Sequence, residues 1–391
     1  MATVHGELKP SKRILLGPGP SNVNPRVYKA MGTSMLGYMD AEFIAIMDET
    51  VAMLRQVFGT QNELTIPVSG TGTSGMEAAL CNVIEPGDRV VVCIKGYFGL
   101  RLKEIAERCG ANVTVVESDW GTAVQPDKVE RALKGQDAKL VAIVHAETST
   151  GVLQPLDEIG AIANDSGALL LVDCVTSLGG QAVNLDQRKI DVAYSGTQKC
   201  LGAPPGLAPV SFSVRAREVI AKRRSKVQSF YFDMTLLEKY WTGGQRAYHH
   251  TVSMTLVYAL REALRVVLEE GLEARYLRHA RNAEALRAGL VAMGLDLIAE
   301  EGHRAPMLTT VAIPKGIADG EIRNSLMAGH GIEIGGGLGD FKGKAWRIGL
   351  MGESSTQSNV LLVLSALEKL LSGSGHKLKP GAGVSAAVQL F

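Results

Sequence analysis

The chain lacks an excess of either charge and any long apolar run, and these absences exclude several classes of protein. Its 391 residues carry 41 basic and 40 acidic side chains, a net charge of +1, with no long block of one sign. A nucleic-acid groove or an anionic membrane surface needs clustered positive charge, so neither partner is expected. No stretch reaches the roughly 18 apolar residues that a transmembrane helix requires.

Targeting signals and paired cysteines are also missing. The N-terminus, MATVHGELKPSKR, has no apolar signal-peptide core, and residues 389–391 are not a peroxisomal signal. The five cysteines are scattered and never spaced as Cys-x-x-Cys. We therefore expect reduced, buried thiols, with neither disulfides nor a metal site. Together these absences predict a cytoplasmic protein with no membrane partner.

What the chain does have is a regular alternation of strand and helix patterns. From about residue 40 to 270, short aliphatic runs alternate with amphipathic helical segments. The runs at 89–94, 140–144 and 169–172 are continuous and largely aliphatic, which is typical of strands buried on both faces of a parallel sheet. The pattern predicts an α/β fold with a mainly parallel central sheet and helices on both faces.

The length and the 46% hydrophobic content allow more than one domain. We predict an N-terminal arm over 1–21, a large domain over 22–270 and a smaller α+β C-terminal domain over 271–391. The last twenty residues are rich in glycine and small side chains, and we expect them to form a loosely held tail.

Residues 68–75, Val-Ser-Gly-Thr-Gly-Thr-Ser-Gly, follow an apolar run and open a helix. Glycines and small hydroxyl residues there leave backbone N–H groups free at the positive end of the helix dipole, which suits a phosphate. The segment also fits the dinucleotide fingerprint Gly-x-Gly-x-x-Gly. That motif expects an acidic residue about 20 positions on, but Lys95 follows the next strand. A single phosphate is favoured; a dinucleotide and an ordinary tight turn remain alternatives.

Two further residues stand at predicted strand ends. Asp173 ends the run at 169–172, where open parallel sheets bind their ligands; the alternative is a solvated or helix-capping carboxylate. Lys199 lies in a bend before Pro204-Pro205-Gly206, a constrained backbone that no regular element continues. Most lysines are solvated, but partial burial would lower its pKa and make it a Schiff-base former.

The order of these three features is more specific than any one of them. A phosphate loop, a strand-end carboxylate and then a lysine are the parts that a pyridoxal phosphate enzyme needs for its phosphate, its pyridinium nitrogen and its Schiff base.

With these parts in this order, the chain resembles the class V branch of the fold-type I aminotransferases, which have a seven-stranded-type central sheet. Within that branch it is most similar to the alanine–glyoxylate and serine–glyoxylate aminotransferases. The resemblance covers nearly the whole chain. The matching segments are 15–22, 69–72, 147–155, 173–180, 195–206, 248–251, 333–339 and 347–350.

The resemblance implies roles for individual residues. Lys199 would carry pyridoxal 5'-phosphate and move the substrate's proton, and Asp173 would keep the pyridinium protonated. Arg347 would clamp the substrate carboxylate, and Thr148 would reach the cofactor or the substrate. The implied cofactor-binding residues are Thr71, Gly72, Thr73, Phe98, Thr148, Asp173, Val175, Gln198, Lys199, Tyr248 and Thr251.

The resemblance also implies contacts from a second subunit, and the chain departs from the family at two positions. Tyr248 and Thr251 would contact the phosphate from the other subunit, which implies a homodimer with shared active sites. Phe98, which would stack on the ring, stands where the family usually has Trp, and Thr73 stands where some relatives have His. For His249 and the adjacent His250, structural roles are favoured over acid–base roles.

The implied reaction is ping-pong transamination from L-alanine or L-serine to glyoxylate. The sequence assigns no second arginine to a distal carboxylate, which argues against glutamate and aspartate as donors. The alternatives are pyridoxamine or ureidoglycine as donor, a lyase or desulfurase, and a protein that only binds a phosphorylated ligand. A desulfurase needs a mobile cysteine in its C-terminal half, and no cysteine follows Cys200.

Overall fold

The fold was analysed in a computed structural model, which describes residues 5–135 and 137–391. Within these residues the strands are β1 (Ile14–Leu15), β2 (Leu64–Ser69), β3 (Arg89–Ile94), β4 (Asn112–Glu117), β5 (Leu140–Val144), β6 (Ala146–Glu147), β7 (Val152–Leu153), β8 (Leu169–Asp173), β9 (Val192–Tyr194), β10 (Leu207–Phe212), β11 (Leu308–Ala312), β12 (Ile332–Glu333), β13 (Gly335–Gly336) and β14 (Ala345–Gly349).

Several helices begin at a residue whose side chain caps them. In α2, for example, the side chain of Asp40 accepts the N–H of Glu42, and Gly59 ends the helix at a φ of 66°. None of the helices described is both long enough and apolar enough to cross a membrane. The helices are α1 (Pro25–Met31), α2 (Ala41–Phe58), α3 (Gly72–Val83), α4 (Tyr97–Arg108), α5 (Pro126–Leu133), α6 (Asp157–Asp165), α7 (Val214–Ala221), α8 (Met234–Trp241), α9 (Met254–Glu270), α10 (Leu272–Ala292), α11 (Asp319–His330), α12 (Gln357–Gly373) and α13 (Ala382–Val388).

Seven strands form the central sheet, in the order β2-β10-β9-β8-β5-β3-β4. β10 runs antiparallel to both of its neighbours, whereas the strands from β9 to β4 pair in parallel. Every side chain of β5 and β8 is buried, because helices pack on the sheet over these aliphatic strands. The predicted seven-stranded, mainly parallel α/β fold is confirmed.

The parallel strands bring their carboxyl ends to one edge of the sheet. Asp173 is the last residue of β8, and Lys95 and His145 follow β3 and β5 at the same edge. The helix α3 begins just after β2, and the segment that carries Lys199 follows β9. Residues far apart in the chain therefore meet at this edge, as in other open α/β sheets.

The C-terminal part has its own sheet and its own apolar core. β14 pairs antiparallel with β11 and with β13. Leu16 joins the core that contains Trp346 and Leu364, because β1 pairs in parallel with β12. The N-terminal segment therefore packs on the C-terminal part, while the domain boundaries at residues 21 and 270 remain predictions.

The expectation of a loose tail over the last twenty residues is wrong for 382–388, which form α13. This helix packs against α10 and α12. Ala387 is fully buried, and a Cβ on Gly289 of α10 would lie 2.8 Å from the carbonyl oxygen of Gly383. The small residues that suggested a tail instead allow two helices to approach closely.

Candidate active site

A cavity of about 200 Å³ opens at the carboxyl edge of the central sheet. It brings together most of the predicted site residues, which come from five separate segments of the chain. Its walls are Thr71, Gly72, Thr73, Met76, Phe98, Arg101, Val144, Ala146, Thr148, Asp173, Val175, Thr176, Gln198 and Lys199.

One end of the cavity is the start of α3. Gly72 is the first helical residue and Thr71 the N-cap, so the N–H groups of Gly72 and Thr73 have no partner in the helix, while that of Ser74 donates to the carbonyl oxygen of Thr71. A Cβ on Gly72 would lie 3.1 Å from Val175, so glycine keeps this end open. The side-chain oxygen of Gln198 is buried without a hydrogen-bond partner in the described residues, which leaves that amide free to turn toward a ligand.

The carboxylate of Asp173 lies in the floor of the cavity and is only 3% exposed. It accepts hydrogen bonds from the hydroxyl of Tyr194 at 2.7 Å and from the N–H of Val175 at 2.8 Å. Burial raises the pKa of Asp173 to about 6, against the lowering effect of these two donors. A cationic partner would hold this carboxylate in its ionised form.

The amine of Lys199 points into the same cavity and donates to the carbonyl oxygen of Pro18. Burial, together with the positive charge of Arg347, lowers the pKa of Lys199 to about 8. The lowered pKa leaves more of this amine uncharged, and so nucleophilic, near neutral pH than in an ordinary lysine.

Arg347, in the middle of β14, is not among the residues that line the cavity, but it contacts one of the wall residues from the C-terminal part. Its guanidinium donates to the carbonyl oxygen of Gly336 at 2.7 Å and to that of Thr148, a wall residue, at 3.3 Å. Burial lowers its pKa to about 10, while Glu147 opposes this effect. Arginine remains charged at neutral pH, so this side chain is a nearly buried cation beside the lysine.

Three contributors were not singled out in the sequence. Arg101 lines the cavity, donates to the hydroxyl of Thr73 at 3.3 Å and stacks over the ring of Phe98, with 5.0 Å from its guanidinium carbon to the ring centroid. Glu147 accepts the N–H of Phe98 at 3.2 Å and so fixes the start of α4. Tyr194 holds Asp173. Of these three residues, only Arg101 could have been predicted from the sequence, because it lies three positions after Phe98 and therefore on the same helix face.

Two predicted site residues lie away from this cavity. Tyr248 is 57% exposed, its hydroxyl is 3.4 Å from that of Thr251, and its ring centroid is 4.9 Å from that of Tyr38. The adjacent His249 and His250 bond to each other through their Nδ1 atoms at 2.8 Å, and His250 Nε2 lies 2.8 Å from the hydroxyl of Ser69. These bonds accord with the structural roles favoured for the two histidines.

The groups in the cavity fit one kind of ligand. Helix N–H groups suit a phosphate, a buried carboxylate suits a protonated ring nitrogen, and an amine of lowered pKa suits an aldehyde carbon. Phe98 and Val175 supply apolar surface between them, which suits a flat ring. Pyridoxal phosphate has these four features.

Known proteins are similar to this chain over most of its length. The Aminotransferase class-V family profile matches residues 25–339. Alanine–glyoxylate aminotransferase of Callithrix jacchus is 45% identical over 92% of this chain and 87% of its own length.

Two solved structures are also similar to this chain. The ureidoglycine–glyoxylate aminotransferase of Bacillus subtilis superposes with a TM-score of 0.96 and 45% identity, over 98% of this chain and 99% of that chain. Alanine–glyoxylate aminotransferase from Nostoc sp. gives a TM-score of 0.93 and 47% identity, over 94% of this chain and 98% of that chain.

Proposed function

This chain belongs to the aminotransferase class-V family, and from that premise we propose that it transfers the amino group of L-alanine or L-serine to glyoxylate. The products would be glycine and pyruvate or hydroxypyruvate. The family match confirms the resemblance seen in the sequence, and the cofactor is pyridoxal phosphate. The observation that carries the proposal is one cavity that holds Asp173 and Lys199 beside the guanidinium of Arg347.

In this proposal different cavity residues bind different parts of the cofactor. The N–H groups of Gly72 and Thr73, with the amide of Gln198, hold the phosphate, and Arg101 adds a positive charge at that end. Phe98 covers one face of the ring. These contacts orient the ring against the substrate without taking part in bond breaking.

Asp173 and Lys199 carry out the chemistry of this chain. Asp173 keeps a proton on the ring nitrogen by pairing with it. When bound, the cofactor accepts the electron pair left on the substrate's Cα after its proton is removed. Lys199 would hold the cofactor covalently. Its free amine would take the proton from the substrate's Cα, and its lowered pKa favours the uncharged form that can accept this proton.

Arg347 sets the substrate class in this proposal. Its guanidinium would bind the α-carboxylate in bidentate fashion, with Thr148 beside it. Arg101 lies at the phosphate end, so it is not free for a distal substrate carboxylate. One carboxylate clamp without a second one for a distal group suits a small amino acid and the smallest 2-oxo acid.

Ureidoglycine is a second candidate donor. The B. subtilis enzyme named for that donor covers 98% of this chain at 45% identity, close to the 45% and 47% of the two alanine–glyoxylate relatives. Both donors present one α-carboxylate to Arg347 and both pass the amino group to glyoxylate. The two donors differ in the group attached to Cα, and the proposed contact of Arg347 with the carboxylate does not distinguish them.

A homodimer is part of the same proposal. Tyr248 and Thr251 are outside the cavity of their own chain, so this proposal assigns them to the site of a second copy. Support comes from exposed aromatic residues beside Tyr248 and the adjacent His249, namely Tyr38, Phe230 and Tyr231, because such a patch is more often covered than left in water.

The test is to add each donor to the purified enzyme without acceptor and to record the absorbance of the lysine-bound cofactor. L-alanine, L-serine and ureidoglycine are tried separately, and glyoxylate is then added. The true donor should bleach the band at the highest rate, and glyoxylate should restore it. Lys199→Ala should show no such band.

Each outcome has a clear meaning. Bleaching by alanine or serine alone supports the first proposal, and faster bleaching by ureidoglycine replaces it with the second. A band that no donor bleaches refutes both donor assignments. If restoration fails with glyoxylate but succeeds with pyruvate, the acceptor assignment is wrong.

A further inference from the structure

The helix α4 begins at the cavity, and its second residue, Phe98, is part of the cavity wall. Its N-cap is Gly96, which has no side chain to cap the helix, and the first helical hydrogen bond runs from the N–H of Leu100 to the carbonyl oxygen of Gly96. The N–H groups of Tyr97, Phe98 and Gly99 therefore have no partner within the helix. The groups that accept them decide where this turn lies.

One short segment at the end of β6 supplies all three acceptors. The hydroxyl of Ser149 accepts the N–H of Tyr97 at 2.9 Å. The carboxylate of Glu147 accepts the N–H of Phe98 at 3.2 Å and that of Gly99 at 3.3 Å. Ser149 also donates to this carboxylate, from its N–H at 3.1 Å and from its hydroxyl at 2.6 Å. The first turn of α4 is therefore attached to a segment 48 to 52 residues further along the chain.

The contact between α4 and this segment is close and buried. Glu147 is 1% exposed and Ser149 is fully buried. A Cβ on Gly96 would lie 2.5 Å from Cγ of Glu147 and against the hydroxyl of Ser149, so glycine allows the helix to start this near. Burying a carboxylate is costly unless it is hydrogen-bonded. The donors named above and the positive end of the α4 dipole offset that cost.

The segment that holds α4 is also part of the cavity wall. Ala146 and Thr148, on either side of Glu147 in the chain, both line the cavity. The carbonyl oxygen of Thr148 accepts a hydrogen bond from Arg347 at 3.3 Å, so the segment is itself held at the site. The position of Phe98 is thus set from the cavity wall rather than from the loop that precedes α4.

We propose that Glu147 positions Phe98: by holding the first turn of α4, its carboxylate sets how the Phe98 ring covers the ring of the cofactor. Glu147 is not among the residues that line the cavity, so it is a positioning residue rather than a catalytic one. The inference rests on the proposed stacking of Phe98. Its tests use cofactor-free protein and pyridoxal binding, so a wrong donor or acceptor assignment would leave them unaffected.

The first measurement is amide hydrogen exchange in the cofactor-free protein. Both oxygens of Glu147 accept N–H groups, so in Glu147→Gln the amide nitrogen would face a donor whichever way it turns. We expect the amides of Phe98 and Gly99 to exchange about tenfold faster, because each loses a hydrogen bond to a charged acceptor. The matched control is Glu85→Gln, because Glu85 also accepts two N–H groups and a hydroxyl but lies outside the cavity. Unchanged exchange in Glu147→Gln would overturn the proposal.

The second measurement is pyridoxal binding to the cofactor-free protein, in a double-mutant cycle with Phe98→Leu. Glu147→Gln alone should weaken binding about fivefold, which corresponds to about 1 kcal/mol and lies within the contribution of an aromatic contact. In the Phe98→Leu background the same substitution should weaken binding less than about twofold, because the ring that Glu147 positions is gone. Glu85→Gln should bind pyridoxal as the wild type does.

Three binding results would refute the role of Glu147. An equal loss in both backgrounds would mean that Glu147 supports the fold without acting through Phe98. Faster exchange with unchanged pyridoxal binding would mean that the turn can loosen without moving the ring. No loss in Phe98→Leu alone would remove the stacking itself, and the inference with it.

Ser149→Ala takes the place of Glu147→Gln if the latter does not fold. It removes the acceptor of the Tyr97 N–H and one donor to the carboxylate, while Glu147 itself remains. The same turn should loosen, and the loss of pyridoxal binding should again depend on Phe98. The results that would overturn the proposal are the same for this variant.

Discussion

Arg101 gives the sharpest test of how the cofactor is held. We predict that Arg101→Met weakens binding of pyridoxal phosphate about tenfold while folding and the ring contacts persist. Methionine keeps a long apolar stem against Phe98 but removes the positive charge beside Thr73, the residue whose N–H is proposed to bind phosphate. Within the described part of the chain Arg101 has no carboxylate partner, so its charge is free for the phosphate.

The expected magnitude follows from where the charge lies. Arg101 is half-buried, and an ion pair in such a position contributes about 1 to 1.5 kcal/mol, because water screens part of the attraction. Each 1.4 kcal/mol corresponds to about a tenfold change in the dissociation constant. The loss should shrink at high salt, since ions screen a partly exposed pair.

The assay compares two ligands on the cofactor-free protein. Pyridoxal phosphate and pyridoxal are titrated into wild type and Arg101→Met, and binding is followed by absorbance. The ratio of their dissociation constants isolates the phosphate contribution. Arg108→Met is the matched control, because Arg108 lies on the same helix, is paired with Glu104 and lies outside the cavity.

The outcomes separate charge from packing. Weaker binding of pyridoxal phosphate alone supports a phosphate contact. An equal loss for both ligands would mean that Arg101 acts through its stacking on Phe98, and the electrostatic reasoning would be refuted. No loss for either ligand would show that the guanidinium faces solvent in the bound state.

Three further predictions concern the remaining site residues. Asp173→Asn should raise the free energy of unfolding of the cofactor-free protein at pH 7 by up to about 3 kcal/mol, measured by urea unfolding. The pKa of Asp173 in the folded protein, about 6, is above its ordinary value of 3.8. Ionisation of this carboxyl group therefore destabilises the folded protein as the pH rises from about 4 to about 6, and asparagine avoids this cost. A stability equal to wild type at pH 7 would contradict this. Arg347→Lys should lower kcat/KM for the amino donor about 100-fold, mainly through KM, because one bidentate pair is lost; an unchanged KM would exclude it as the clamp. Mixing the inactive variants Lys199→Ala and Tyr248→Ala should restore about a quarter of wild-type activity, since a hybrid dimer has one complete site. No recovery after verified subunit exchange would remove Tyr248 from the partner's site.

Much of the fold could be predicted from the sequence, because local residue patterns specify its strands and helices. Continuous aliphatic runs fit only strands covered on both faces, and these are β5 and β8 as observed. The start of α3 required glycine at Gly72, where a Cβ would press on Val175. The tail was misjudged at α13 because small residues indicate flexibility in isolation, whereas here they allow close helix packing against α10.

The sequence by itself determined the parts that a single segment can specify: the phosphate loop, the strand-end Asp173 and Lys199 before its constrained bend. The tertiary structure decided what surrounds them. Lys199 meets Pro18 across 181 residues and Arg347 meets Thr148 across 199, so no local pattern could indicate these contacts. The pKa values of Asp173 and Lys199 also depend on the tertiary structure, because burial and charges from other segments set them.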